Sequence, residues 1–258
     1  MENKLLLVPF AGGSLGKNVG TSLAPNAIVE ALKSRDSLAE IGSRISFSEV
    51  LVPVIKDDFP ETQKIVEQFS NGGFRVAIGG DHSITYSLFK GFASGKKNPG
   101  IVIFDAHADC MQSFQPVTHE NYLRCLVEEN ILKSENIVLV STRTLDVEEL
   151  NFLSRHHIKI FSMIEISREG LRYVCDAIMS IARSWSDAYI SIDIDSLDPA
   201  FAPGTGYPEP GGLSTRDLLY CVQRLKLIRT VSCWDVVEVD GSHAQTVSVG
   251  AKIVSEIL

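Results

Sequence analysis

Three apolar runs of this chain each end abruptly in acidic residues and histidines, and this pattern strongly restricts the fold. The runs are FRVAIGGDHS, IVIFDAHADC and AYISIDIDSLDP. Segments rich in Val, Ile and Phe are typical of strands buried on both faces of a parallel sheet. Polar groups placed directly beside such a core lose their hydration and need a compensating partner. A bound metal ion is the simplest partner, so the pattern predicts a parallel sheet with a metal site at its strand ends.

The candidate ligands have the spacing that an extended segment needs to present them on one side. Alternate residues of a strand point the same way, so D-x-H-x-D and D-x-D can each converge on one point. The donors exceed what one divalent ion requires, and they suit two ions that share carboxylates and activate water for hydrolysis. The six candidate metal ligands are His82, Asp105, His107, Asp109, Asp193 and Asp195.

Strand-like and helix-like segments alternate along the whole sequence. The candidate strands cover residues 4–8, 46–54, 74–78, 100–105, 136–141, 159–162, 188–193 and 231–239. The candidate helices cover residues 24–34, 61–69, 84–92, 120–130, 147–155, 171–185, 215–226 and 246–258. This alternation is typical of an α/β fold in which helices cover both faces of a parallel sheet. Without a repeat or a long linker, residues 1–258 are predicted to form a single domain, whose ligands bind beyond the carboxyl ends of the strands.

Local signals refine this outline at two helix starts and one loop. Ser214 begins a capping-box pattern, and Ser83 is placed to cap the helix after His82. The longest irregular stretches are residues 110–119 and 198–212. The second is dense in Pro and Gly, which favour turns, and it closely follows the D-x-D motif. We therefore expect it to form a wall of the ligand pocket.

The composition argues against several classes of partner. The chain has 24 basic and 32 acidic residues, a net charge of −8, which argues against binding to nucleic acid or an anionic membrane. No apolar run approaches the length of a membrane span, and the N-terminal KLLLVPF is predicted to be a strand and not a signal peptide. Five cysteines without a C-x-x-C pair predict reduced thiols and a cytoplasmic location.

GGDHS, DAHAD and SIDIDSLDPAFAPGTGYPEPGGLS resemble, in this order, the motifs of the arginase–agmatinase (ureohydrolase) family. GTSLAPNAIVEAL near the start and DVVEVDGS near the end extend the resemblance over nearly the whole chain. The resemblance implies a three-layer α/β/α sandwich with a mostly parallel sheet of about eight strands. It also implies two Mn²⁺ ions per subunit, hydrolysis of a small guanidino substrate to urea and an amine, and a homo-oligomer, trimer or hexamer.

Carried over by position, the resemblance implies two ligand sets that overlap. The first ion would be held by His82, Asp105, Asp109 and Asp193, and the second by Asp105, His107, Asp193 and Asp195. Asp105 and Asp193 would bridge the ions. The donors themselves suit Mn²⁺ because of the carboxylates, but two imidazoles also accept Fe²⁺, Co²⁺, Ni²⁺ or Zn²⁺. The choice of Mn²⁺ therefore rests on the resemblance.

Three catalytic residues are implied in the same way. Asp109 would pass a proton to the leaving amine, and Glu238 would bind the guanidinium through its carboxylate. His119, ten residues after Asp109, would shuttle protons or contact the substrate. The simpler alternatives are a surface residue at a helix start for His119 and an ordinary strand-end carboxylate for Glu238.

The substrate is left open among several classes. Met111 stands where arginases carry an asparagine, and Tyr207 stands where a threonine is usual. An agmatinase-like substrate is therefore the leading hypothesis, with arginase, guanidino-acid hydrolase and formimidoylglutamase as alternatives within the family. Outside the family, an amide deacetylase or a non-catalytic metal-binding module would also use such a site.

The remaining polar residues near the motifs have simpler expectations. Asp81 and Asp198 are expected to support the ligands or to form turns. Cys110 is expected to pack in the core, and Arg143 either to reach a substrate carboxylate or to cap a helix. The histidines without acidic companions are expected to be structural or exposed: His156, His157 and His243.

Overall fold

The computed structural model describes residues 3–34, 40, 45–55 and 57–258, and these contain one parallel sheet of eight strands. The strands are β1 (Lys4–Val8), β2 (Ser48–Leu51), β3 (Val76–Gly79), β4 (Pro99–Phe104), β5 (Ile137–Val140), β6 (Lys159–Phe161), β7 (Asp187–Asp193) and β8 (Val231–Val237). Their order across the sheet is β2-β1-β3-β8-β7-β4-β5-β6, and every neighbouring pair is parallel. Each predicted strand is present, with ends shifted by up to a few residues.

Helices cover both faces of this sheet. They are α1 (Ala24–Lys33), α2 (Phe59–Asn71), α3 (Ile84–Ala93), α4 (Tyr122–Glu128), α5 (Val147–Arg155), α6 (Met163–Glu169), α7 (Leu171–Arg183), α8 (Thr215–Leu225) and α9 (Ala244–Ile257). One apolar core joins the sheet to α1 and α6–α9, and a second joins its other face to α2–α5. The expected three-layer α/β/α sandwich is confirmed.

Alternation along β7 explains how apolar strands deliver polar groups to the site. Ile190 and Ile192 pack in the core on one face, whereas Tyr189 packs in the core on the other. Because strand side chains alternate, Ser191 and Asp193 point to the same side as Tyr189. The strand therefore buries its apolar half and presents a polar row on its second face.

The four central strands bring the sequence motifs together. His82 follows β3, Asp105 follows β4, Asp193 ends β7 and Glu238 follows β8, and these strands are neighbours in the sheet. The glycine pair after β3 is required by close packing, because a Cβ on Gly80 would lie 1.6 Å from the carbonyl oxygen of Phe10. The carboxyl ends of parallel strands are where such sheets bind ligands.

Three local expectations have different outcomes. The capping box at Ser214 is confirmed, with Asp217 as its partner. The capping role of Ser83 is wrong, because its hydroxyl donates to the Asp81 side chain and not to the helix. Helix α6 was not predicted, since Ile166 is its one buried residue and its apolar periodicity is correspondingly weak. Among the described residues, no helix combines the length and apolar character needed to cross a membrane.

Candidate metal centre and substrate pocket

The first candidate ion position surrounds one ring nitrogen of His82, a fully buried residue. Nδ1 of His82 lies 3.1 Å from one carboxylate oxygen each of Asp105, Asp109 and Asp193. Among the described residues this nitrogen has no hydrogen-bond partner, whereas Nε2 of the same ring lies 2.9 Å from Oγ of Ser191. A buried ring nitrogen that faces three carboxylates without hydrogen-bonding to them fits a cation held among the four groups.

The second candidate position adjoins the first and shares Asp105 with it. Nδ1 of His107 lies 3.0 Å from Oδ2 of Asp195 and 3.5 Å from Oδ1 of Asp105. Asp105 therefore directs Oδ1 toward the His107 group and Oδ2 toward the His82 group, as a bridging carboxylate must. Asp193 directs Oδ2 to the site, while its Oδ1 accepts a hydrogen bond of 2.8 Å from the backbone N–H of Asp195. All six predicted ligands converge at these two positions.

The charges at these positions call for a cation. Burial and the adjacent charge of Asp105 raise the pKa of Asp109 to about 7. Burial and neighbouring carboxylates likewise raise the pKa values of Asp193 and Asp195. Each carboxylate thus destabilises its neighbours' ionised forms, which nearby divalent ions would stabilise. The donor set, four carboxylates and two imidazoles, matches the ligand chemistry of a Mn²⁺-type pair.

Glu238 and His119 form a pair beside the carboxylate cluster. Oε1 of Glu238 accepts a hydrogen bond of 2.9 Å from the backbone N–H of His82 and lies 3.3 Å from Nδ1 of His119. Burial alone would lower the pKa of His119, but the hydrogen bond and charge of Glu238 raise it to about 9. Nε2 of His119 has no hydrogen-bond partner among the described residues. His119 is 6% exposed, which contradicts the alternative of a surface residue.

Two of these residues have an uncommon backbone conformation. Asp109 has φ of 52° and Glu238 has φ of 60°, both in the left-handed region that favours glycine. Non-glycine residues persist there only where surrounding contacts fix them, as the hydrogen bonds from His82 and Asn18 do for the Glu238 side chain. The fold therefore holds two of the three candidate catalytic residues in conformations that cost free energy.

A cavity of about 190 Å³ opens over both ion positions. Its lining residues are His107, Asp109, Met111, His119, Glu120, Glu149, Asp193, Asp195, Thr205, Tyr207 and Glu238. Two of them, Thr205 and Tyr207, belong to the Pro- and Gly-rich loop, which forms a wall of the pocket as expected. The ring of Tyr207 packs 5.9 Å from that of His107 and 5.6 Å from that of His119. The phenol therefore narrows the pocket directly beside the reacting groups.

Of the two roles expected for Arg143, the helix cap is the one that the structure shows, at the end of the short 3-10 helix Ile194–Ser196. The Arg143 guanidinium donates to backbone carbonyls, including those of Asp195 at 2.7 Å and Glu209 at 2.6 Å. Further contacts of 3.2 Å reach the carbonyls of Ser141 and Pro210. One planar cation thus joins the D-x-D segment to the far end of the pocket loop. Arg143 positions this wall, and it is not among the residues that line the cavity.

Replacing Arg143 with lysine is expected to lower the free energy of unfolding by about 1–3 kcal/mol, because lysine keeps the charge but loses the planar fork. Thermal denaturation of the variant beside Arg155→Lys measures this effect. Arg155 is exposed at the end of α5, so its replacement should leave the unfolding midpoint unchanged. Equal midpoints for the two variants would contradict the proposed role of Arg143.

The other polar residues near the motifs behave largely as expected. Asp81 accepts from the backbone N–H of Gly13 at 2.7 Å, and Asp198 accepts from that of Gly211 at 2.7 Å. Cys110 is fully buried, and burial raises the pKa of its thiol, in keeping with a packing role. The three remaining histidines lie outside the cavity lining: His156, His157 and His243.

Sequence reasoning missed the groups that support the ligands from behind. Asn18 donates to Glu238 at 3.2 Å, and Tyr122 places its hydroxyl 3.0 Å from Nε2 of His82. Ser191 contacts the same nitrogen and donates to Asp235 at 2.6 Å. The position of Ser191 could have been predicted from the sequence, because it lies two residues before Asp193 and so shares its strand face. The other contacts are between residues far apart in the sequence.

A parallel α/β/α sheet with two histidine–carboxylate groups at its central strand ends defines a protein built to hold a pair of metal ions. The model of the arginase family matches residues 3–258, and this chain belongs to that family. The family that the sequence motifs resemble is thus confirmed.

The relatives carry more than one substrate name. An arginase of Staphylococcus aureus (strain MRSA252) is 33% identical over 198 residues, which cover 69% of this chain and 66% of that protein. A formimidoylglutamase of Halalkalibacterium halodurans is 33% identical over 170 residues, 64% of this chain and 53% of that protein. The solved formimidoylglutamase of Bacillus subtilis has a TM-score of 0.90 at 25% identity, covering 100% of this chain and 86% of its own. The substrate must therefore be inferred from the charge and shape of the pocket and not from the names of relatives.

Proposed function

We propose that this protein is a dinuclear manganese hydrolase that cleaves a small guanidino amine, agmatine or a close analogue, to urea and an amine. One observation carries the proposal. The lining of the cavity over the two ion positions includes Glu238, His119 and further carboxylates, and no lysine or arginine is among its described lining residues. Such a pocket favours a substrate that is cationic at both ends.

The metal pair would be held by the two groups that share Asp105. His82, Asp109 and Asp193 complete the first group, and His107 and Asp195 belong to the second. When bound, two divalent ions supply Lewis acidity that makes water acidic enough to ionise near neutral pH. The orphaned Nδ1 of His82 and the raised pKa values of the aspartates support this assignment.

Glu238 would bind and orient the guanidinium. Its carboxylate lies on the cavity wall and is fixed by Asn18 and by the backbone of His82. A planar guanidinium pairs well with a carboxylate of fixed orientation. The pairing would hold the planar carbon in the same cavity as the metal-binding carboxylates, ready for attack by water.

Two residues would manage the protons of the reaction. The C–N bond to the amine breaks as water adds its oxygen to the carbon, and the departing amine needs a proton. Asp109, which lines the cavity beside His82, would hold the proton taken from water. His119 would donate through Nε2, which has no hydrogen-bond partner among the described residues, and Glu238 keeps this imidazole protonated at neutral pH.

Two further glutamates of the cavity lining argue for an amine on the substrate's other terminus. Glu120 and Glu149 line the same cavity as Glu238, and Met111 offers an apolar surface to methylene groups. Both oxygens of Glu149 accept backbone hydrogen bonds of 3.1 Å, so its orientation is fixed. A substrate carboxylate placed here would meet like charge, whereas an ammonium would be attracted. This charge pattern favours agmatine over arginine, 4-guanidinobutyrate or formiminoglutamate.

A substrate panel with added Mn²⁺ tests the proposal. We expect urea release from agmatine with kcat/KM at least about 10-fold above that for arginine or 4-guanidinobutyrate, because those substrates bring a carboxylate to an acidic pocket. Urea from arginine at equal or greater efficiency would replace the agmatinase assignment with an arginase one. Acetate release from acetylated amines without urea would instead indicate an amide deacetylase, and inactivity toward every substrate a binding module.

Two further proposals concern the assembly of the chain and its location. The trimer or hexamer and the cytoplasmic location stay predictions, supported by family membership and by five thiols that are all unpaired in the structure. Light scattering of the purified chain measures the first directly. A monomer at micromolar concentration would contradict it.

A further inference from the structure

A buried hydrogen-bonded chain runs from Asp235 through Ser191 to the metal-facing histidine, His82. Asp235 lies on β8 and Ser191 on β7, and the two are paired directly across these neighbouring strands. Ser191 donates to Oδ1 of Asp235 at 2.6 Å, and its Oγ lies 2.9 Å from Nε2 of His82. All three residues are fully buried. We call the sequence Asp235–Ser191–His82 the relay.

The hydroxyl contacts fix the direction of every hydrogen bond in the relay. Oδ2 of Asp235 accepts from Thr85 Oγ1 and from Tyr189 OH, each at 2.8 Å. A carboxylate that receives three hydroxyl donors is an acceptor at both oxygens. Ser191 donates its single hydroxyl proton to Asp235, so toward any other group its oxygen can only accept a hydrogen bond. Nε2 of His82 must then be the donor, and this nitrogen carries the proton.

The relay has a consequence at the other side of the ring. With the proton on Nε2, Nδ1 of His82 keeps its lone pair, and this is the atom that faces three carboxylates. A metal-binding histidine needs this arrangement, because the ring nitrogen that binds the ion cannot also carry a proton. The second contact of Nε2, the hydroxyl of Tyr122 at 3.0 Å, is not tied to a carboxylate.

The relay also accounts for Asp235 itself. A carboxylate buried among neutral hydroxyls, with no lysine or arginine bonded to it in the described residues, lacks a local counter-charge. An ion at the His82 position would supply this counter-charge, because its positive charge would polarise the His82 ring and the Ser191 hydroxyl that connect it to Asp235. A purely structural carboxylate would gain nothing from the serine contact that it does not gain from Thr85 or Tyr189.

We propose that Asp235 and Ser191 are positioning residues that orient His82, fix its proton on Nε2 and thereby set the affinity of the first ion position. The inference rests on the metal centre of the proposed function. It concerns binding of the metal, and it holds whichever guanidino substrate the pocket accepts.

Mn²⁺ binding to the full chain, measured by competition with a chelator, tests the relay. In Ser191→Ala and Asp235→Asn we expect one of the two ions to bind about 10- to 100-fold more weakly, the usual effect of losing a partner behind a metal-binding histidine. The second ion, held by the His107 group, should keep most of its affinity. The matched control is Thr85→Val, which removes another hydroxyl from the same carboxylate but leaves the path to His82 intact.

Melting temperatures of the metal-free proteins separate positioning from simple stabilisation. Thr85→Val and Ser191→Ala each remove one buried hydroxyl–carboxylate bond, so both should melt at lower temperature, while Ser191→Ala alone should lose metal affinity. Wild-type affinity for both ions in Ser191→Ala, or an equal loss in Thr85→Val, would overturn the relay. A wild-type chain that binds fewer than two ions would instead overturn the metal centre of the proposed function.

Discussion

Replacing Asp105 with asparagine is expected to abolish urea formation, by at least about 10³-fold, and to leave the protein with fewer than two bound ions. Asp105 is the residue whose two oxygens face different histidines, Oδ2 toward His82 and Oδ1 toward His107. Asparagine offers one oxygen and no charge, so it can serve at most one of these positions. Loss of an ion removes several kcal/mol of transition-state stabilisation, which corresponds to about three orders of magnitude in rate.

Metal content after dialysis against a fixed Mn²⁺ concentration, together with urea release, measures both effects. Asp57→Asn is the matched control, because Asp57 is exposed and its φ of 61° suits asparagine. The control should keep both ions and full activity. Two ions in Asp105→Asn, with a rate within about 10-fold of wild type, would show that Asp105 does not bridge.

The sheet and the clustering of the candidate ligands were predictable because both depend on period-two patterns within short segments. IVIFDAHAD reads as an apolar strand followed by alternating donors, and it becomes β4 with Asp105 at its end. The parallel arrangement then gathers the ends of β3, β4, β7 and β8 at one edge, however far apart they lie in sequence. Local periodicity and one topological rule thus locate the candidate metal centre.

The groups that support the site escaped prediction because they depend on contacts between distant segments. Arg143 donates hydrogen bonds to the backbone carbonyls of Asp195 and Glu209, which lie more than 50 residues away in the sequence. Ser83 has a better partner in Asp81 than in the helix that it precedes. Asp235 lies inside the apolar run VSCWDVV, and its contact with Ser191 can be recognised only when β8 is known to pair with β7. None of these partners has a fixed spacing that a sequence pattern could report.

The same limit applies to the substrate. The departures at Met111 and Tyr207 were visible in the sequence, but their effect depends on how the pocket closes around them. The acidic lining combines Glu120 with Glu149, two residues from a turn and a helix that the fold brings to one cavity. Relatives at about one-third identity carry two different substrate names, so the local charge of this pocket is the more direct guide.

Replacing His119 with asparagine is expected to lower kcat by about 10²- to 10⁴-fold while both metal ions remain bound, because the departing amine loses its proton donor. His119 contacts Glu238 through Nδ1, and its Nε2, which has no hydrogen-bond partner among the described residues and lies 4.0 Å from Oε1 of Glu120, is the atom available to the substrate. Glu238 raises the pKa of His119 to about 9, so the cationic form predominates at neutral pH. Activity that needs this proton is present below that value and is lost as the pH rises through about 9.

The pH dependence of kcat separates proton donation from a mere contact with substrate. Wild-type kcat should fall on the alkaline side near pH 9, and His119→Asn should lack this fall because asparagine does not titrate there. His157→Asn is the matched control, since His157 is exposed with φ of 52°, a conformation that asparagine adopts readily. An unchanged alkaline limb in His119→Asn, or a rise in KM with kcat intact, would assign His119 to substrate binding and leave Asp109 as the residue that moves the proton.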